Sequence, residues 1–200
     1  MIRQFDSELR KVSNNDERPF ICDGSPLQCN VFIVGLNPVS KTPFWNYWHP
    51  EKGFNRNEWF EAYLKERKGK PTPTRKKLQY FHEEFRNSEK IRLLETNIYS
   101  NSSKRAGGLK EEDMSSQTFN FLLKVIKPKA IIAHGKTIRR YIWHLSGCSF
   151  DNLDKWTGER KVFDFKTRIY GRHHLSFQLS DDACRNLTKD LSKDLHGFLN

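Results

Sequence analysis

The chain contains no apolar run near the roughly 18 residues that a spanning helix requires, which sets aside an integral helical membrane protein. Its N-terminus, MIRQFDSELRKVSNND, has no apolar core of the kind a secretory signal carries. Cysteine is scarce: Cys22, Cys29, Cys148 and Cys184 form no C-x-x-C pair, and their spacing is too wide for an iron–sulfur cluster. Free thiols in a reducing cytoplasm are the simplest expectation, with nucleoid association if the source is prokaryotic. P-loop, G-x-S-x-G and H-E-x-x-H patterns are missing, as are repeats and low-complexity tracts. Acidic residues are under-represented, 24 against 35 Lys and Arg, giving a formal net charge of +11.

What the sequence has in quantity is aromatic and basic. Fifteen Phe, five Trp and six Tyr supply large burial per residue and argue against disorder. At 200 residues the chain is read as a single domain, 1–200, that buries enough surface to need no staples. Exposed charge makes a monomer the expectation. The basic excess is concentrated in Lys65–Lys77, KERKGKPTPTRKK, where seven bases accompany one acid. Such density repels itself unless a polyanion neutralises it, and nucleic acid is the commonest such partner. A solvated connector between helices is the structural alternative. Lys68, Lys70, Arg75 and Lys76 are the candidate phosphate contacts of this run.

Hydrophobic periodicity predicts short buried strands alternating with amphipathic helices. Strands are expected at Val31–Val34, Ile91–Ile98, Ala130–Ala133, Lys161–Phe165 and Arg168–Tyr170. Helices are expected at Asn57–Lys68 and Arg75–Phe85, from Ser115 or Ser116 to Pro128, at Gly135–Leu145, and from Ser180 onward. This alternation implies an α/β fold, a three-layer α/β/α arrangement around a central, mainly parallel four-stranded sheet. Ligands of such sheets bind beyond the carboxyl ends of the strands. The residues there are Gly35-Leu36-Asn37-Pro38, Asn97-Ile98-Tyr99-Ser100, His134-Gly135 and His173-His174-Leu175-Ser176.

These segments hold a convergent polar set. Gly35 admits close approach of a ligand to backbone. Asn37 carries a carbonyl oxygen and an amide donor on a turn stiffened by Pro38. Asn97 carries the same pair, which suits a nucleobase edge. His174 can donate toward developing negative charge. Ser40, Ser100 and Ser176 are small hydroxyls where phosphates could dock. In isolation, Asn37 could equally cap a turn, Asn97 could satisfy a strand end, and His134 could make local hydrogen bonds beside Gly135. His173, His174 and Cys184 make a poor zinc set, because adjacent strand histidines point to opposite faces.

An apolar strand followed by G-x-N-P, a later strand ending in Asn, and a late H-x-S before a helix resemble the uracil-DNA glycosylase superfamily. VFIVGLNP (Val31–Pro38) resembles its first motif in the branches that carry Asn there. LLETNIYS (Leu93–Ser100) resembles the strand whose Asn reads the base, and HHLSFQLS (His173–Ser180) resembles the second motif, H-P-S-P-L-S. The resemblance implies a monofunctional DNA glycosylase without metal or diffusible cofactor, which extrudes a nucleotide and hydrolyses its N-glycosidic bond. In that scheme Asn37 holds the attacking water, His174 stabilises the departing base, and Gly35, Leu36, Pro38 and Asn97 line the base pocket. An aromatic from the segment after the first motif stacks on the base, with Trp48 best spaced among Phe44, Trp45, Tyr47 and Trp48. Gln178 or Leu179 fills the hole left in the duplex. Val39-Ser40 and Leu175 depart from the motifs. With the polar and aromatic segment Lys41–Asn57, they leave the base open between a uracil-like one and a larger or polar-decorated one, such as a modified cytosine in viral DNA. A non-catalytic nucleic-acid-binding module and a hydrolase of free nucleotides are the alternatives.

Overall fold

A computed structural model describes residues 1–86, 88–103, 108–147, 157–175 and 179–199. Among them the fold is α/β, with six α-helices and a six-stranded sheet. Strand β1 (Phe20–Cys22) leads to β2 (Val31–Gly35), and a small two-stranded ribbon, β3 (Trp48–His49) and β4 (Gly53–Phe54), follows. The later strands are β5 (Leu93–Asn97), β6 (Ala130–His134), β7 (Thr157–Val162) and β8 (Phe165–Arg172). Their order across the main sheet is β1-β5-β2-β6-β8-β7.

The sheet is mixed. Strand β2 pairs in parallel with β5 and β6, and β6 pairs in parallel with β8, while β1 and β7 join the two edges antiparallel. Six strands replace the four expected from sequence. Lys161–Phe165 is not one strand: it spans the tight turn of the β7–β8 hairpin, where Phe163 takes a left-handed φ of 51°.

Alternation along each strand divides the interior in two. Phe32, Val34, Leu94, Ile131, Ala133 and Ile169 pack with residues of α1 (Ile2–Val12), α2 (Arg56–Glu66), α4 (Gln117–Ile126) and α5 (Lys136–Leu145). Val31, Ile33, Leu93, Ala130, Ile132 and Tyr170 pack with α3 (Pro73–Arg86) and α6 (Asp181–Phe198). Cover on both faces explains why β2 and β6 read as continuous apolar runs. Side chains cap two helix starts: Asn55 accepts from the Glu58 amide at 3.3 Å, and Ser180 from the Ala183 amide at 3.1 Å.

Helix α1 lies in the segment read from sequence only as polar. Phe5 and Leu9, four residues apart, bury one stripe of it, while Arg3, Glu8 and Arg10 stay outside. Among the described residues, no helix is long and apolar enough to cross a membrane.

The register aligns the strand ends that matter. Gly35 stands opposite Asn97, and Ala133 opposite Val34, so β5, β2 and β6 finish side by side. The first residues of the following loops therefore share one rim. Because α1 contributes full burial through Leu9, Leu9→Ala is expected to cost about 2–5 kcal/mol in urea unfolding; a cost below about 0.5 kcal/mol would show that α1 is not part of the packed core.

Candidate active site

Beyond the rim lies a cavity of about 540 Å³. Gly35, Leu36, Asn37, Pro38 and Ser40 from the loop after β2 line it, together with Asn97, His134 and His174. Residues brought from four separate stretches of chain thus face one space. Arg75 and Tyr63 form part of the opposite wall.

The amide nitrogen of Asn37 donates to the carbonyls of Pro38 (3.2 Å) and Ser103 (3.4 Å). These contacts turn the amide, and its Oδ1 accepts no hydrogen bond among the described residues. Asn97 lies directly over Gly35: a β-carbon there would stand 2.7 Å from Asn97 Oδ1 and 3.4 Å from His134 Nε2. Gly35 is required here by close approach, since any side chain would displace the amide. The same holds at Gly135, whose φ of +103° turns the chain from β6 into α5. A β-carbon there would be 3.3 Å from His174 Cδ2.

His134 and His174 meet edge to face, with ring centroids 5.3 Å apart. Burial, and secondarily the proximity of His174, pushes His134 down to about 3. Burial and then Lys77 lower His174 from its ordinary value. Both rings are therefore neutral at pH 7 and offer one N–H each. The local hydrogen bond expected from sequence is not made by His134 Nδ1, which is buried with no partner among the described residues.

The wall formed by α3 rests on a buried charge cluster. Glu95 stands in the middle of β5, with Arg75 Nη1 at 2.7 Å from each of its oxygens and His82 Nε2 at 2.5 Å. Burial opposes ionisation of Glu95, but Arg75 and His82 outweigh it and hold the carboxyl well below the usual range. His82 is itself lowered, chiefly by burial.

The remaining residues singled out from sequence are placed as follows. Trp48 is outside the cavity: it packs against Phe5, Phe20 and Phe44, and its indole N–H donates to Asp6 at 2.6 Å. Tyr63 supplies the aromatic wall instead, its ring stacked on Trp59 at 5.6 Å and its hydroxyl accepting from the Thr72 amide at 3.0 Å. The Ser40 hydroxyl is engaged internally with Thr42 (2.6 Å) and Glu66 (3.0 Å). Ser100 is buried, and its hydroxyl has no partner among the described residues. The Leu179 side chain packs on the α3–α6 face, and its carbonyl accepts from Lys77. Ser176 and Gln178 lie outside the described residues.

The basic run divides. Arg75 and Lys77 are buried, and Lys76 pairs with Asp181. Lys65, Arg67, Lys68 and Lys70 are exposed on the α2–α3 turn and make no ion pair among the described residues. Thr72 and Pro73, which follow directly, line the cavity.

Among the described residues, no group of three or more His, Cys, Asp or Glu could hold a metal ion. The chain matches no protein-family model and no curated protein in sequence.

Between its ordinary 6.5 and about 3, His134 refuses in the folded state a proton that the unfolded chain binds. Stability is therefore fully present above about pH 6.5 and falls as pH drops, by up to about 1.4 kcal/mol per unit for one proton. Glu95, held low, adds loss of the same sign below its ordinary 4.5. In urea unfolding at pH 7, 6 and 5, His134→Gln is expected to flatten the decline; a constant difference from wild type across these pH values would contradict this assignment.

Proposed function

We propose that this protein is a DNA glycosylase that takes an extruded base into the cavity and hydrolyses its N-glycosidic bond. The observation that carries the reading is the meeting of Asn37, Asn97 and His174 in one cavity, with the Asn37 oxygen unengaged among the described residues. The motif resemblance supports the same roles.

Breaking the bond between C1′ and the base nitrogen builds positive charge on the sugar and negative charge on the base. The Asn37 Oδ1 accepts a hydrogen bond from water and holds it for attack on C1′. An amide is too weak a base to remove the proton, so its contribution is positioning. The neutral His174 donates its N–H to the departing base and stabilises the anion without transferring the proton outright. Water's oxygen ends on C1′, and its proton is passed through solvent to the released base. Asn97, fixed over Gly35, hydrogen-bonds the polar edge of the base. Tyr63 replaces Trp48 as the aromatic residue lining the base pocket.

DNA is the proposed partner. Lys65, Arg67, Lys68 and Lys70 are exposed just before the cavity-lining Thr72 and Pro73 and make no ion pair among the described residues, which suits a phosphate backbone. The cavity falls in the 300–1,000 Å³ range of sites that hold ligands larger than a bare pyrimidine. Such a volume leaves room for a base carrying an additional substituent, such as a modified cytosine of viral DNA.

Mass spectrometry of bases released from uracil-containing, damaged and virally modified DNAs tests the reaction. One of them is expected to yield free base and an abasic site. Asn37→Ala and His174→Ala are each expected to lower release by about 10²-fold or more while melting near the wild type. Release from no substrate, or full activity in both variants, would overturn the reading; salt-sensitive binding with no release would make the protein a binding module.

Replacing Lys65, Arg67, Lys68 and Lys70 by Ser is expected to reduce the slope of log affinity against log salt by about 0.9 for each phosphate that the protein no longer neutralises. An unchanged slope in a DNA-binding titration would exclude this turn from the interface.

A further inference from the structure

Two guanidinium groups that line the cavity share one indole buried behind it. Arg75 lies 5.0 Å from the centroid of the Trp59 ring and Arg18 lies 5.5 Å from it. Both line the cavity, but only one has its charge answered. Arg75 is held on both oxygens of Glu95, which His82 also contacts. Among the described residues, Arg18 has no carboxylate within ion-pair distance and its guanidinium makes no hydrogen bond. Its backbone N–H alone is engaged, donating to the Ser100 carbonyl at 3.0 Å.

Arg18 is partly exposed to the cavity, and a guanidinium partly withdrawn from bulk water without a direct ion-pair partner is costly to hold, although Glu95 and Glu66 attract it from farther away. Burial, and next the repulsion of Arg75, brings Arg18 down to about 9. The contact with Trp59 offsets part of that cost and fixes the group in place. The first turn of α3 adds to the positive potential, because Thr72, Pro73 and Thr74 at its start face the same space. Glu95, the one carboxylate among the described lining residues, is already saturated by Arg75 and His82.

We propose that Arg18 is the anion-recognition residue of the cavity and receives an anionic oxygen group of the ligand. A planar guanidinium takes a phosphate or carboxylate through two parallel N–H donors, which a lysine cannot reproduce. The group has two sources: the phosphate of the extruded nucleotide, or an acidic substituent carried by its base. This assignment deepens the base-excision reading by adding a subsite to the same cavity, and its test requires no bond cleavage.

The test is calorimetric titration of the intact chain with 2′-deoxyuridine, its 5′-monophosphate and 5-carboxy-2′-deoxyuridine. One anionic probe is expected to bind wild-type protein about tenfold or more tighter than deoxyuridine. Preference for the monophosphate assigns the subsite to phosphate, and preference for the carboxylate assigns it to a base substituent. Arg18→Met is expected to abolish the preference, leave deoxyuridine binding in place, and melt no lower than wild type in the absence of ligand. Arg18→Lys keeps the charge but loses the fork, so it should retain only part of the preference; it serves as the readout if Arg18→Met does not fold. Equal binding of all three probes by wild type overturns the proposal. So does a preference that persists undiminished in Arg18→Met or Arg18→Lys.

Discussion

The ionised carboxyl of Glu95, buried in the middle of a strand, is the constraint on which the rest of the cavity depends. A carboxylate at that depth is tolerated only when a cation meets it. Arg75 supplies that charge and the neutral His82 adds a hydrogen bond; both come from α3, seven residues apart and on one face of that helix, so satisfying Glu95 anchors α3 over β5. That anchoring sets the first turn of α3 above the carboxyl ends of the parallel strands. It converts a rim of loops into a walled cavity and brings Arg75 against Trp59. The cluster thus serves the site by fixing its geometry, whereas the apolar packing on both sheet faces holds the fold.

The rim supplies the polar groups in a line set by register. Asn97, Gly35, His134 and His174 come from β5, β2, β6 and the segment after β8, neighbours in that order across the sheet. Glycine at position 35 is what lets the Asn97 amide lie across the end of β2. The two imidazoles are neutral because the same walls that exclude water disfavour their charged forms. A neutral donor in a low-dielectric pocket suits a leaving group that becomes negative during bond cleavage. On this account the cavity's chemistry comes from orientation and desolvation, with neither a strong base nor a nucleophile at its centre.

Much of this was legible in the sequence. Short apolar runs such as VFIV and AIIA are complete only when helices cover both faces, so the α/β fold and the placing of Asn37, Asn97 and His174 at strand ends could be read directly. Other features depend on packing that pattern does not encode. Helix α1 hides its Phe5–Leu9 stripe among charged side chains that point outward. Strand β1 is three residues long, below the length at which periodicity carries information. Trp48 had suitable spacing for a stacking role, but the aromatic cluster around Phe20 and Phe44 takes it into the core, and Tyr63 faces the cavity in its place. His134 lacked any motif of its own; its position immediately after AIIA, at a strand's carboxyl end, was the available signal. Arg18 had none, since only the tertiary structure reveals that Arg75 and not Arg18 meets Glu95.

The most direct measurement is a crystal structure of the Asn37→Ala protein with duplex DNA bearing a single 2′-fluoro analogue of the nucleotide whose base is released in the mass-spectrometric assay, because 2′-fluorination makes the glycosidic bond resist hydrolysis. The account predicts the marked nucleotide rotated out of the helix, its base between Asn97 and His174, and the duplex lying against the turn that carries Lys65–Lys70. A base that stays stacked while DNA occupies another face of the molecule would contradict it.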